Sequence, residues 1–158
     1  MLSKKGGMAQ SVEKSPARKI LIDHHIDPEN FCQIVISHPH ISSASELVFR
    51  LICRLGYFED ITTECAECIY TGMMTDTGGF TYNSNNKEIY YIISELLSKG
   101  IDKYEIYRKL FNTHTEGRLR MMGFVLYNKM EVFRNFNAAL IWLTKFEHRK
   151  FHYRKGDT

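Results

Sequence analysis

LIDHHIDPEN, residues 21–30, joins an apolar run to a carboxylate, two adjacent imidazoles and an Asp-Pro break. Ile20, Leu21 and Ile22 are contiguous and apolar, the pattern of a short strand buried in a parallel sheet. The strand is expected over Lys19 to Asp23. Asp27-Pro28-Glu29-Asn30 reads as a turn, and Cys32 to Ser37 (CQIVIS) as a second strand, ended by His38-Pro39. In an open α/β sheet, ligands collect at the carboxyl ends of the strands, where Asp23, His24 and His25 fall. Side chains alternate across a strand, so the two imidazoles point to opposite faces. One suits a metal ion and the other a ligand as donor or proton source. A neighbouring carboxylate is the usual partner that fixes an imidazole's tautomer. Taken alone, the triplet is either this or a polar strand terminus.

Outward from the triplet, helical patterns dominate. Ser43 with Glu46 three residues on matches a capping box, and Leu47, Leu51, Ile52 and Leu55 follow at helical spacing up to Gly56. Thr62 or Thr63 caps a helix through Cys65, Ile69 and Met73, which gives way near Asp76-Thr77-Gly78-Gly79. Asn86 to Lys99 is amphipathic and closed by Gly100. Asp102 starts another helix, and Glu116 to about Lys129 is a further one. Met130 to Phe133 and Ala138 to Thr144 read as strands joined through Asn135-Phe136-Asn137. Residues 1–17 hold few large apolar side chains and are expected to be a largely flexible lead-in, with at most a short helix around Met8 to Lys14.

Two further stretches carry possible chemistry. In GMMTDTGGF, residues 72–80, Asp76 lies between threonines in a glycine-bearing turn. Such a backbone lets a carboxylate and several N–H groups face one point, as a hard cation or a phosphate oxygen requires; a helix C-cap with an Asx turn is the structural alternative. Ser42-Ser43-Ala44-Ser45 opens a helix, where it acts as a cap and suits a phosphate.

The bulk composition sets limits. At 158 residues, with 44% apolar and 25% charged residues, the chain has the size and make-up of one globular domain. A formal charge of +3 suits an anionic ligand but not a surface that coats nucleic acid. Cys32, Cys53, Cys65 and Cys68 form no disulfide framework. Cys65-Ala-Glu-Cys68 has no second CxxC or His pair at finger spacing, so the thiols are expected to be reduced and not metal-binding. No apolar run reaches membrane-spanning length, and MLSKKGGMAQ has no apolar stretch behind its basic residues. A cytoplasmic protein with no membrane partner is expected.

Asp23-His24-His25, followed about fifty residues on by TDTGGF, resembles the DHH phosphoesterase family, over roughly residues 16–158. The helix-rich pattern through Arg118 and Arg120 looks closest to the branch of bacterial oligoribonucleases and PAP phosphatases. The resemblance implies an α/β fold: a partial DHH-type parallel sheet flanked by helices, with the start of a second, smaller domain. The implied division is lead-in 1–17, partial catalytic domain 18–115, linker helix 116–130, and 131–158 as the start of a substrate-binding domain. His24 and Asp76 would ligate the same manganese ion, His25 would face the scissile phosphate and Asp23 would orient the histidines. Ser42, Ser43 and Arg118 would contact substrate, a short single-stranded oligonucleotide or 3′-phosphoadenosine 5′-phosphate (PAP). Two ions serve hydrolysis in the complete family site. Other substrates of the superfamily are pyrophosphate, polyphosphate and cyclic dinucleotides, and a non-catalytic nucleotide-binding remnant is the reading from a different class.

The family places two further ligand motifs upstream of the triplet, in strands ending in a His and two Asp and in an Asp. The 22 residues before Asp23 contain no aspartate and no histidine. The chain is therefore expected to be a middle piece of a longer protein, inactive alone, with exposed sheet edges that make a homodimer plausible.

Overall fold

The computed structural model describes residues 9–28 and 31–152. The expectations for residues 1–8, for Glu29 and Asn30 and for the extreme C-terminus lie outside these.

After a short helix α1 (Ala9–Lys14), strands β1 (Ile20–Asp23) and β2 (Ile34–Ser37) pair in parallel, with Ile20 opposite Ile34 and Asp23 opposite Ser37. Three helices follow: α2 (Ala44–Arg54), α3 (Thr63–Asp76) and α4 (Lys87–Ser98). The fold is the mixed α/β arrangement that the sequence implies. The strands are not buried: Ile20 is 57% exposed and Ile34 44%. Among the described residues each strand has a single strand neighbour, so contiguous apolar residues find too few partners to cover both faces.

The core is helical instead. Leu47 and Phe49 of α2, Ile69, Tyr70, Met73 and Met74 of α3, and Ile89, Ile92 and Leu96 of α4 are at most 5% exposed. Each such side chain contributes about 1.5–3 kcal/mol on burial. Helix starts are set locally. The Ser43 Oγ accepts from the Glu46 N–H at 3.0 Å, the Thr62 Oγ1 from the Cys65 N–H at 3.3 Å, and the Asn86 Oδ1 from the Glu88 N–H at 3.0 Å. α3 lies against the first turn of α2 so closely that a Cβ on Gly72 would come within 1.9 Å of the Ser45 Oγ. Glycine at 72 is thus a packing requirement, and Asp76 lies one turn beyond it.

The chain divides into two compact units, residues 1–106 and 107–158, the division falling inside α5 (Lys103–Phe111). The second unit holds α6 (Glu116–Asn128), an antiparallel hairpin of β3 (Glu131–Phe133) and β4 (Ala138–Leu140), and α7 (Lys145–Lys150). A strand over Ala138 to Thr144 does not form beyond Leu140. Thr144 instead caps α7 in a reciprocal box: its Oγ1 accepts from the Glu147 N–H at 3.2 Å, and its own N–H donates to Glu147 Oε2 at 2.8 Å. No helix among the described residues is long and apolar enough to cross a membrane.

Candidate metal and phosphoester site

Asp23 ends β1 and organises the turn after it. Its Oδ1 accepts from the His24 N–H at 2.8 Å, the His25 N–H at 3.2 Å and the His25 ring Nδ1 at 2.6 Å. Partial burial pushes this carboxyl up, but the hydrogen bonds from the His25 ring and the two backbone N–H groups outweigh that. Its net pKa lies below the ordinary carboxylate value. An ionised Asp23 fixes the proton of His25 at Nδ1 and leaves Nε2 as the outward atom of an exposed ring. Asp23 thus orients the His25 ring directly, and reaches His24 only through its backbone.

The His24 ring turns the other way, towards α3. Its Nε2 lies 3.5 Å from Oδ2 of Asp76, with the imidazole mostly buried and the carboxylate half-exposed. The two histidine rings remain neighbours, with centroids 4.8 Å apart.

Asp76 is delivered by the end of α3. The Thr77 hydroxyl, fully buried, donates to the Met73 carbonyl at 2.7 Å and accepts from the Phe80 N–H at 2.9 Å. Gly78, Gly79 and Phe80 then run in succession at φ of 56°, 73° and 64°, a left-handed stretch that glycine tolerates and other residues resist. A Cβ on Gly78 would also meet the Tyr82 ring at 2.8 Å. Packing of Phe80 on Tyr70, with centroids 5.5 Å apart, holds the turn against the helix. This leaves a carboxylate at the negative end of a 14-residue helix, where the macrodipole disfavours an anion unless a cation neutralises it.

The pair fits one cation. Two donors each about 2.0–2.2 Å from an ion stand about 3.0–3.5 Å apart at angles between right and tetrahedral. The mixture of imidazole and carboxylate suits a borderline or moderately hard divalent ion. Among the described residues no third His, Cys, Asp or Glu joins them to form a cluster, so those residues present two protein donors.

The other expected site residues have these partners. Ser42 and Ser43 are buried. The Ser42 hydroxyl and N–H both donate to Glu46 Oε2, at 2.6 and 3.1 Å, and the Ser43 hydroxyl is spent on the cap. Arg118 belongs to α6 of the second unit, where its N–H donates to the Thr115 hydroxyl at 3.0 Å. Three further residues are not singled out as functional by sequence. Thr77 is one, legible in TDTGGF as the threonine after the carboxylate. Glu46 is another, a buried carboxylate whose Oε1 accepts from Arg50 Nε and Nη2 at 2.9 and 2.7 Å. The third is Ser37, paired with Asp23 across the sheet, whose buried hydroxyl has no partner among the described residues. No sequence signal distinguishes Ser37 from any strand-terminal serine.

The model of the DHH family's N-terminal domain matches residues 3–73 of this chain, including the triplet at 23–25. The chain belongs to the DHH family. The match stops before Asp76, but likeness to a solved structure extends over both motifs. A crystal structure of an exopolyphosphatase-related protein from Bacteroides fragilis superposes with a TM-score of 0.94 at 68% identity, over 99% of this chain and 46% of the other. The bifunctional oligoribonuclease and PAP phosphatase NrnA of Thermus thermophilus is 32% identical over 107 residues, 68% of this chain and 32% of that protein. Its namesake from Bacillus subtilis is 26% identical over 138 residues, 87% of this chain and 43% of that one. The chain therefore spans less than half the length of each of these relatives.

Proposed function

We propose that this chain carries one side of the metal centre of a phosphoesterase acting on short oligonucleotides or PAP. The observation behind this reading is the 3.5 Å approach of His24 Nε2 to Asp76 Oδ2, two donors from motifs far apart in sequence. His24 and Asp76 would hold a manganese-type ion. Such an ion supplies Lewis acidity and an acidified water when bound.

The chain's own residues do the rest. His25, with its Nδ1 proton held by Asp23, presents Nε2 as donor to a phosphoryl oxygen when protonated, and as acceptor of a proton from water or a hydroxyl otherwise. Asp23 keeps that ring in one orientation. Arg118 would contact substrate phosphate, and residues 131–158 would be the beginning of a substrate-binding domain. Two protein donors fall short of a dinuclear centre, so the chain alone is expected to turn over neither PAP nor a dinucleotide.

The names of the Thermus and Bacillus relatives support the nucleotide substrates. Likeness to the exopolyphosphatase-related protein of Bacteroides favours a second reading, in which polyphosphate is the substrate. Calorimetry separates them. With manganese present, AMP binds the chain, and His25→Ala weakens AMP without changing manganese affinity. Tripolyphosphate binding in preference to AMP supports the second reading. Binding of either anion that is indifferent to manganese and to His25 overturns both.

A further inference from the structure

A cavity of about 670 Å³ lies between α2 and α4, built from residues other than those of the His24–Asp76 pair. Arg50, Cys53 and Arg54 line it from α2, and Glu88, Ile92 and Glu95 from α4. Both sets recur at spacings of three and four, so each helix turns one continuous face to the same space. The volume is in the range of small-molecule sites.

The floor is apolar and aromatic. Phe49 is 5% exposed and Ile92 2%, and Phe58 meets Phe49 edge-to-face with centroids 6.2 Å apart. The walls are charged but balanced, two guanidiniums against two carboxylates. One set of charges is already matched: Arg50 Nη2 donates to Glu88 Oε2 at 2.7 Å, and its Nε and Nη2 hold the buried Glu46. Arg54 and Glu95 line the same cavity, and neither side chain has an ionic or hydrogen-bond partner among the described residues. They stand on opposite helices.

A planar ring on an aromatic floor, offering acceptors to a guanidinium and donors to a carboxylate, would use both unmatched groups at once. Among nucleobases guanine has that periphery. O6 and N7 form an acceptor pair that arginine reads bidentately. N1–H and the N2 amino group form a donor pair for a carboxylate. Adenine sets one donor beside one acceptor and cannot satisfy an arginine bidentately. A net-neutral lining gives no field for a polyphosphate. We infer that the cavity between α2 and α4 is a binding site for a guanine nucleoside, with Arg54 reading O6 and N7, Glu95 accepting from N1–H and N2–H, and the ribose towards solvent.

The test is titration of the full chain with guanosine, followed by calorimetry and by backbone amide shifts on α2 and α4. Guanosine is expected to bind saturably, below about 1 mM, and adenosine about tenfold or more weaker. Arg54→Ala and Glu95→Gln should each weaken guanosine by about tenfold. His24→Ala and removal of manganese should leave it unchanged, which keeps this outcome separate from that of the phosphoesterase reading. The inference is overturned if folded protein shows no saturable guanosine binding. It is equally overturned if adenosine binds as well as guanosine, or if both variants bind guanosine like the parent chain.

Discussion

The two-stranded sheet of the first unit is the more apolar in sequence, yet its three-helix core is the better buried. Ile20-Leu21-Ile22 and Ile34-Val35-Ile36 are continuous hydrophobic runs, yet Ile20, Ile34 and Val35 are each more than 40% exposed. Ala66, Met73 and Leu96, from helices with many polar residues, are completely buried. The difference lies in neighbours. α2, α3 and α4 have helical faces that satisfy one another, whereas a parallel strand needs cover on both faces and pairing on both edges. The candidate site is where the two regimes meet: His24 leaves the under-covered strand and Asp76 ends the well-packed helix. Asp76 is held by its scaffold; His24 is held mainly by the turn that Asp23 organises.

Four measurements put this contrast at risk. The largest effect is expected in the helical core. Met73→Ala removes a fully buried side chain one turn from Asp76 and should cost about 2–5 kcal/mol in chemical denaturation. Ile20→Ala should cost less than about 1 kcal/mol, because over half of that side chain is already in water. Equal losses would mean that the sheet is as well covered as the helices.

Glu46→Ala comes next. It leaves the Ser42 hydroxyl and the Arg50 guanidinium without their buried acceptor and should cost about 3 kcal/mol; a loss near zero would show that the network contributes nothing beyond packing. Gly78→Ala adds a Cβ 2.8 Å from Tyr82 at a left-handed φ, for about 1–2 kcal/mol. It should also shift Asp76 and Thr77 amide resonances more than those of β1. Shifts confined to residues 80–84 would detach the turn from the carboxylate.

The smallest effect is a pH dependence in the second unit. The Lys129 ammonium, 2.8 Å away, and the Thr144 N–H and hydroxyl hold the Glu147 carboxyl at about 2 instead of 4.5. A depressed carboxyl pKa contributes stability that is complete above its unfolded value and is lost as pH falls through the folded one. The α7 cap should therefore weaken between pH 4.5 and about 2. Glu147→Gln should flatten the amide shifts of residues 144–147 across that window. A slope that survives the substitution would assign it to another carboxylate.

Much of the site can be read directly from the chain, because its signals are local. A carboxylate and two imidazoles at a strand end, and an Asp-Thr-Gly-Gly turn after a helix, each declare their own backbone. The helix starts at Ser43, Thr62 and Asn86 are equally local. What sequence does not reveal depends on neighbours. Contiguous isoleucines read as a buried strand, but burial is a property of what covers them. That Glu46 folds back to take the Ser42 hydroxyl is likewise not written in the residues beside Ser42. Leu140-Ile141-Trp142-Leu143 extends the strand pattern past Leu140, although Thr144 and Glu147 have the spacing of a capping box. The local helix start prevails over β-propensity there.

Whether His24 and Asp76 share one cation is decided by pulsed EPR of manganese bound to the full chain. Nitrogen coupling from a single imidazole is expected, disappearing in His24→Ala and persisting in His25→Ala, with about tenfold or greater weakening of manganese in Asp76→Asn. Coupling that survives His24→Ala, or manganese affinity that Asp76→Asn leaves unchanged, would contradict a shared ion.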